Sequence, residues 1–146
     1  MTRVDFYILE DQSQDASMRF ACRLGLKAYL AGHPVHVHVE DAAAAAEIDE
    51  LMWDYPKHRF LPHEVLQQQQ PPLSPVHIGF EPPHHSEGLL INLSNEVPSF
   101  FGRFDRVAEI IVGDTREQGR SRYAHYRDRG YPLHHHELSN WEHGNE

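Results

Sequence analysis

Cysteine is almost absent from this chain of 146 residues, and its one thiol, Cys22, rules out an internal disulfide and any zinc site assembled from paired cysteines. Cys22 falls in a helical pattern and reads as a buried packing residue. No apolar run approaches the ~20 residues that a bilayer crossing requires. The opening stretch M-T-R-V-D-F-Y-I-L-E-D carries an apolar patch too short for a secretory signal. A soluble, cytoplasmic chain without membrane contact is therefore expected. Phosphate-binding motifs are missing too. The turn after the first expected strand is Glu10-Asp11-Gln12-Ser13, with no glycine to let backbone N–H groups approach phosphate and two carboxylates to repel it. G-x-x-x-x-G-K-[ST], H-E-x-x-H and G-x-S-x-G do not occur. Positive charge is scarce: the formal net charge of −9 argues against direct contact with nucleic acid, whose affinity rests on many Lys and Arg contacts.

What remains is an ordinary globular composition, 40% hydrophobic and 24% charged, sufficient for one domain and one core. Val4 to Leu9 reads as a buried first strand. Ser13 or Asp15 can cap a helix that carries Phe20, Ala21, Leu24, Ala28 and Leu30 and stops at Gly32. Val35 to Val39 alternates V-H-V-H-V, a strand with His36 and His38 on its polar outer face. Asp41 caps Ala42 to Met52, a helix rich in alanine that ends ahead of Pro56. Arg59-Phe60-Leu61 suggests a short third strand, Gln67 to Pro75 a polar loop, and Val76–Phe80 and Leu89–Leu93 two more strands. Phe100, Phe101 and Phe104 form an aromatic knot in the core. Arg106 to Val112 is the sixth strand, followed by a last helix that ends at Gly130. Strands separated by helices predict a three-layer, Rossmann-like α/β sandwich with a mostly parallel sheet and no nucleotide site. A single domain is expected over residues 1–138, with a tail over 139–146.

That last helix reverses the charge of the chain. Between Thr115 and Gly130 five arginines face only Glu117 and Asp128, a local balance of +3. Arg116, Arg120, Tyr123 and Arg127 recur at i, i+4, i+7 and i+11 and so share one helical face. Such a stripe is either a solvated face or a site for something anionic; an acidic peptide with an aromatic end suits arginine forks beside a tyrosine ring better than a duplex does. A second candidate surface is Met52-Trp53-Asp54-Tyr55-Pro56 with Phe60-Leu61-Pro62-His63, where aromatics and prolines cluster as interface anchors or as a cap on the core.

Catalysis has weaker footing. Asp11, Asp41 and Asp114 stand at three expected strand ends and together could hold Mg²⁺ for phosphoryl transfer or a receiver-like function, unless they are merely caps and solvated loop residues. Thirteen histidines include His134-His135-His136, His84-His85 and the His36/His38 pair, but no spacing fixes a third ligand. The triple histidine reads as surface or tail. No catalytic residue, metal or cofactor is expected.

Four stretches carry a resemblance: V-D-F-Y-I-L; A-G-H-P-V-H-V-H-V-E-D; I-D-E-L-M-W-D-Y-P-K-H-R-F-L-P-H; and R-S-R-Y-A-H-Y-R-D-R-G-Y-P-L. In order and spacing they resemble the chi subunit family of bacterial DNA polymerase III, accessory proteins of the clamp loader, over Met1 to Leu138. The most distinctive parts are W-x-x-P-x-x-x-F-x-P-H and R-Y-x-x-Y-R. The resemblance implies a non-catalytic adaptor with two protein contacts. One is with the acidic, phenylalanine-ended tail of single-stranded DNA-binding protein, at positions matching Arg116, Arg120 and Tyr123 with Val112 as apolar floor. The other is with the psi subunit, through Trp53 and Phe60 with Pro56 and Pro62 shaping the patch; in some members this surface also serves a helicase partner. The last-helix region is a few residues shorter than in the best-known members, and the Q-Q-Q-Q-P-P tract and H-H-H-E-L-S-N-W tail have no assigned role.

Overall fold

The computed structural model describes residues 1–66, 74–83 and 87–142. Most of the glutamine and proline tract, together with His84 and His85, lies outside the described residues. Ten regular elements run in the order β1 (Arg3–Leu9), α1 (Gln14–Leu30), β2 (Val35–His38), α2 (Ala42–Asp54), β3 (His63–Val65), β4 (Val76–Gly79), β5 (Leu89–Asn92), β6 (Arg106–Ile111), α3 (Arg116–Asp128) and β7 (Leu133–Leu138). The strands form one sheet in the order β3-β4-β2-β5-β6-β1-β7, with every pairing parallel. A parallel sheet needs cover on both faces, and its two hydrophobic clusters supply the layers. On one face α1 and α2 pack Phe20, Ala21, Ile48 and Met52 against Val35, Val37, Ile91 and Ile110. On the other, Tyr126 of α3 and the phenylalanines around the 3-10 turn Phe101–Arg103 cover Val4, Phe6, Leu90 and Val107. This is the expected three-layer α/β sandwich.

Local signals explain the element ends. Ser13 caps α1, its hydroxyl accepting from the Asp15 N–H, and Asp41 caps α2, its carboxylate accepting from the Ala44 N–H at 2.9 Å. Gly88 opens β5 at φ +84°, and a Cβ there would collide with the carbonyl oxygen of Pro34, so only glycine lets β5 start beside β2.

Three expectations need correction. The third strand is His63–Val65, not Arg59 to Leu61: the chain turns at Lys57–His58, and Phe60 is 66% exposed in the unpaired stretch that leads into β3. His36 and His38 do not face solvent. His36 is fully buried under Phe100 and Phe104, with its Nδ1 2.9 Å from Nδ1 of His77, and His38 is half-buried. The residues alternate as V-H-V-H-V suggests, but the β5–β6 connection covers the face that the histidines occupy. Finally, His134–His136 belong to β7, a seventh strand pairing with β1 from Val4↔Leu133 to Leu9↔Leu138.

Candidate functional site

Residues of α3 sort into two registers. Gly119, Arg122 and Tyr126 face inward and are buried. At Gly119 the helix comes so close to β6 that a Cβ would lie 2.5 Å from Cδ1 of Ile111. Arg122, one of the five arginines of this segment, is not on the stripe: its Nε donates to Glu109 Oε1 at 2.8 Å, and both side chains are buried. Glu109 Oε2 accepts from the Tyr126 hydroxyl at 2.6 Å and from Asn92 Nδ2 at 2.9 Å, while Arg122 Nη1 donates to the Asn95 carbonyl at 3.2 Å. Burial pushes the Glu109 carboxyl upward against the pull of Arg122, Tyr126 and Asn92, and likewise raises the Tyr126 phenol. A glutamate in the middle of V-A-E-I-I, flanked by core residues, was the available sign of this network.

Arg116, Arg120 and Arg127 of the outer register are exposed, with Tyr123 half-buried among them. Arg127 pairs with its neighbour Asp128 at 3.2 Å. Among the described residues Arg116 and Arg120 have no ion-pair partner. The Tyr123 ring meets Phe6 edge-on at 5.4 Å and His135 of β7 at 5.1 Å, so the edge strand joins this surface. Val112 follows β6 directly, but it is only 1% exposed and packs into the α1–α2 side of the core, so it does not form the apolar floor expected beside the α3 stripe.

The second surface lies where α2 meets β3. Trp53 is 59% and Phe60 66% exposed, their rings 6.3 Å apart, and Trp53 also contacts the His63 ring at 4.6 Å. Pro56 is buried after a cis Tyr55–Pro56 bond, and Pro62 is half-buried. Isolated exposed apolar residues are commonplace, but two large rings side by side with proline-defined backbone form a patch.

Asp11, Asp41 and Asp114 are each engaged locally. Trp141 Nε1 donates to Asp11 at 2.8 Å, Gln12 Nε2 donates to Asp114 at 2.9 Å, and Asp41 is the α2 cap. Among the described residues no group of three or more His, Cys, Asp or Glu is arranged to hold a metal. Asp114 does not cap α3; it lies in the 3-10 turn Gly113–Thr115 ahead of it. The crevice at the carboxyl ends of the strands, about 240 Å³, is lined by Asp15, Glu40 and Glu47, with Arg122 as its one cation and already paired to Glu109, so its net negative charge would repel phosphate. No described helix is long and apolar enough to cross a membrane.

Sequence comparison supplies the decisive observation. The family model for the DNA polymerase III chi subunit, HolC, matches residues 1–134. The chain belongs to the DNA polymerase III chi subunit family. It is 39% identical over 141 residues to DNA polymerase III subunit chi of Pseudomonas aeruginosa, covering 94% of this chain and 98% of the relative. The subunit chi of Haemophilus influenzae is 30% identical over 132 residues, with 88% and 92% covered, and that of Escherichia coli 25% identical over 141 residues, with 91% and 96% covered. Chi is an accessory, non-catalytic subunit of the replicative polymerase. Both candidate surfaces lie within the matched residues, apart from His135.

Proposed function

We propose that this chi-family protein is an adaptor that links template coated with single-stranded DNA-binding protein to the psi subunit and clamp loader of DNA polymerase III. The observation that carries the proposal is the outer register of α3, where Arg116 and Arg120 stand exposed beside Tyr123 on an otherwise acidic chain. The acidic tail of single-stranded DNA-binding protein, with its terminal carboxylate, pairs with Arg116 and Arg120. Its phenylalanine packs on Tyr123, with His135 bounding the site; Val112, buried in the α1–α2 side of the core, takes no part. Arg presents a planar fork to carboxylates, so such contacts are charge-assisted and screened by salt. The psi subunit takes the Trp53–Phe60 patch, which Pro56 and Pro62 shape. A contact of this kind is expected at about micromolar dissociation constant, weak singly and firm when many tails are presented on one coated strand. Elsewhere the acidic surface repels nucleic acid, so the protein reads the coat instead of the strand.

Calorimetric titration with a peptide ending in acidic residues and Pro-Phe tests the reading. Binding should weaken with added salt, and Arg120→Ala should weaken it roughly tenfold or more, as loss of one charge-assisted hydrogen bond implies. Equal affinity in the variant would move the site off α3, and no binding at low salt would remove the proposed partner.

A further inference from the structure

Beyond β7 the chain folds back onto the domain. The Asn140 N–H donates to the Glu10 carboxylate. Trp141 bonds Asp11 through its indole N–H and sets its ring against the Phe20 edge at 5.3 Å. Glu142 then enters a cradle: Arg19 Nε and the Tyr55 hydroxyl both donate to its Oε2 at 2.6 Å, and Arg23 donates to its main-chain oxygen at 3.0 Å. Arg23 Nε donates to the Tyr55 hydroxyl at 2.6 Å, with its guanidinium 5.4 Å from the Tyr55 ring and 5.8 Å from that of Trp141. Burial pushes the Glu142 carboxyl up, but the hydrogen bonds from Arg19 and Tyr55 outweigh it and leave the group below its ordinary value. Burial also pushes the Tyr55 phenol up to about 12, so it keeps the proton it donates.

Tyr55 occupies the near end of the second surface. It closes α2 just after the exposed Trp53, and it precedes Pro56 and the loop that carries Phe60. The far end of this corner is pinned: Leu61 is 1% exposed, and His63 bonds the Leu61 carbonyl at 2.7 Å and the Asp49 carbonyl at 3.2 Å. At the near end, the described side-chain hydrogen bonds of Tyr55 are those with Arg23 and Glu142. We infer that Trp141 and Glu142 form a strap that holds the α2–β3 corner and so positions Trp53 and Phe60. An exposed patch that is already ordered loses less conformational entropy when a partner settles on it. That the corner receives psi rests on the function proposed above; that the strap holds the corner does not. The strapping residues lie outside the span matched by the family model, 1–134, so they are a feature of this chain beyond that match.

Hydrogen–deuterium exchange on the full chain separates these claims. In Glu142→Ala, amides of residues 57–61 should exchange roughly tenfold faster, the loss expected for one partly exposed, charge-assisted hydrogen-bond cluster. Glu142→Gln, which keeps an oxygen to accept from Tyr55, should fall between, and β1 and β6 should not change. Affinity for a psi subunit should drop in the same order. Unchanged exchange at 57–61 in Glu142→Ala overturns the strap. Faster exchange with unchanged psi affinity, where Trp53→Ala abolishes binding, overturns the positioning role. Absence of psi binding by the unmodified chain counts against the proposed partner, and the exchange result still decides the strap.

Discussion

Arg122→Ala should destabilise this protein strongly, although Arg122 sits two residues from the exposed Arg120 in the same cationic stretch. Removing it leaves Glu109, fully buried, without its guanidinium partner; Tyr126 and Asn92 still donate to one carboxylate oxygen, but nothing neutralises the charge. Breaking a buried ion pair from one side costs about 3–5 kcal/mol, a large part of the roughly 5–15 kcal/mol that holds a domain together. For a chain of this length that corresponds to a fall in Tm of about 10 °C or more. The deficit should also depend on pH. Burial already raises the Glu109 carboxyl above its ordinary value, and removing Arg122 removes a force that lowers it. A carboxyl raised in the folded state binds protons more tightly than it does unfolded. Its contribution is therefore fully present below the unfolded value near 4.5 and is lost as pH rises through the folded value. Thermal melts of Arg122→Ala by circular dichroism should show a deficit that widens from pH 5 to pH 8, with Arg120→Ala melting as the parent does. A shift below about 3 °C at pH 7.5, or a deficit independent of pH, would refute the buried-pair reasoning.

Two further outcomes rest on exposure and burial. Trp53→Ala removes a side chain that is 59% exposed, so it should cost under about 1 kcal/mol in urea melts yet weaken the proposed contact with psi by about 2 kcal/mol or more, as a truncated aromatic anchor does. Burial lowers His38 below the ordinary imidazole value, with Glu40 pulling weakly the other way. The unfolded chain therefore takes up a proton first as pH falls, and stability should decline below about pH 6.5. His38→Phe should flatten that part of the urea-midpoint profile, and an unchanged profile would assign the decline to other groups.

How much of this could be read from residues alone depended on whether the signal was local. The first strand, the two capped helices and the parallel layering come from apolar runs, Ser13 and Asp41 at helix starts, and helix-length spacers, all of which act within a few residues. Strand β7 was illegible because L-H-H-H-E-L lacks an apolar alternation: it is an edge strand, mostly exposed, held by its ladder to β1 more than by burial of its own side chains. His36 misled for the opposite reason. Its face of the sheet is covered by Phe100 and Phe104, more than sixty residues away in sequence, a long-range event that the V-H-V-H-V pattern does not encode. In the candidate site the stripe at i, i+4, i+7 was legible, and Trp53 and Phe60 are exposed as surface anchors must be. Arg122 could not be told from its neighbours without knowing that Glu109 faces it from β6.

The two registers of α3 have a mechanical relation. A weak, salt-sensitive contact tolerates little disorder in the surface that makes it, because each ordered side chain subtracts from a small net affinity. Gly119 lets the helix approach β6 closely, while Arg122 and Tyr126 attach it to Glu109 in one rotational setting. A slip of one residue along the helix would rotate it by about 100° about its axis, carrying Tyr123 away from His135 and turning Arg116 and Arg120 with it. An apolar pair in place of Glu109 and Arg122 would match their volume, often without loss of stability, but would not select among such settings. The buried pair is therefore best understood as fixing orientation. On that account, replacing both residues with methionine should weaken binding of the acidic Pro-Phe peptide by more than the accompanying change in melting temperature explains. If peptide affinity instead tracked stability alone, the inner register would have no part in presenting the outer one.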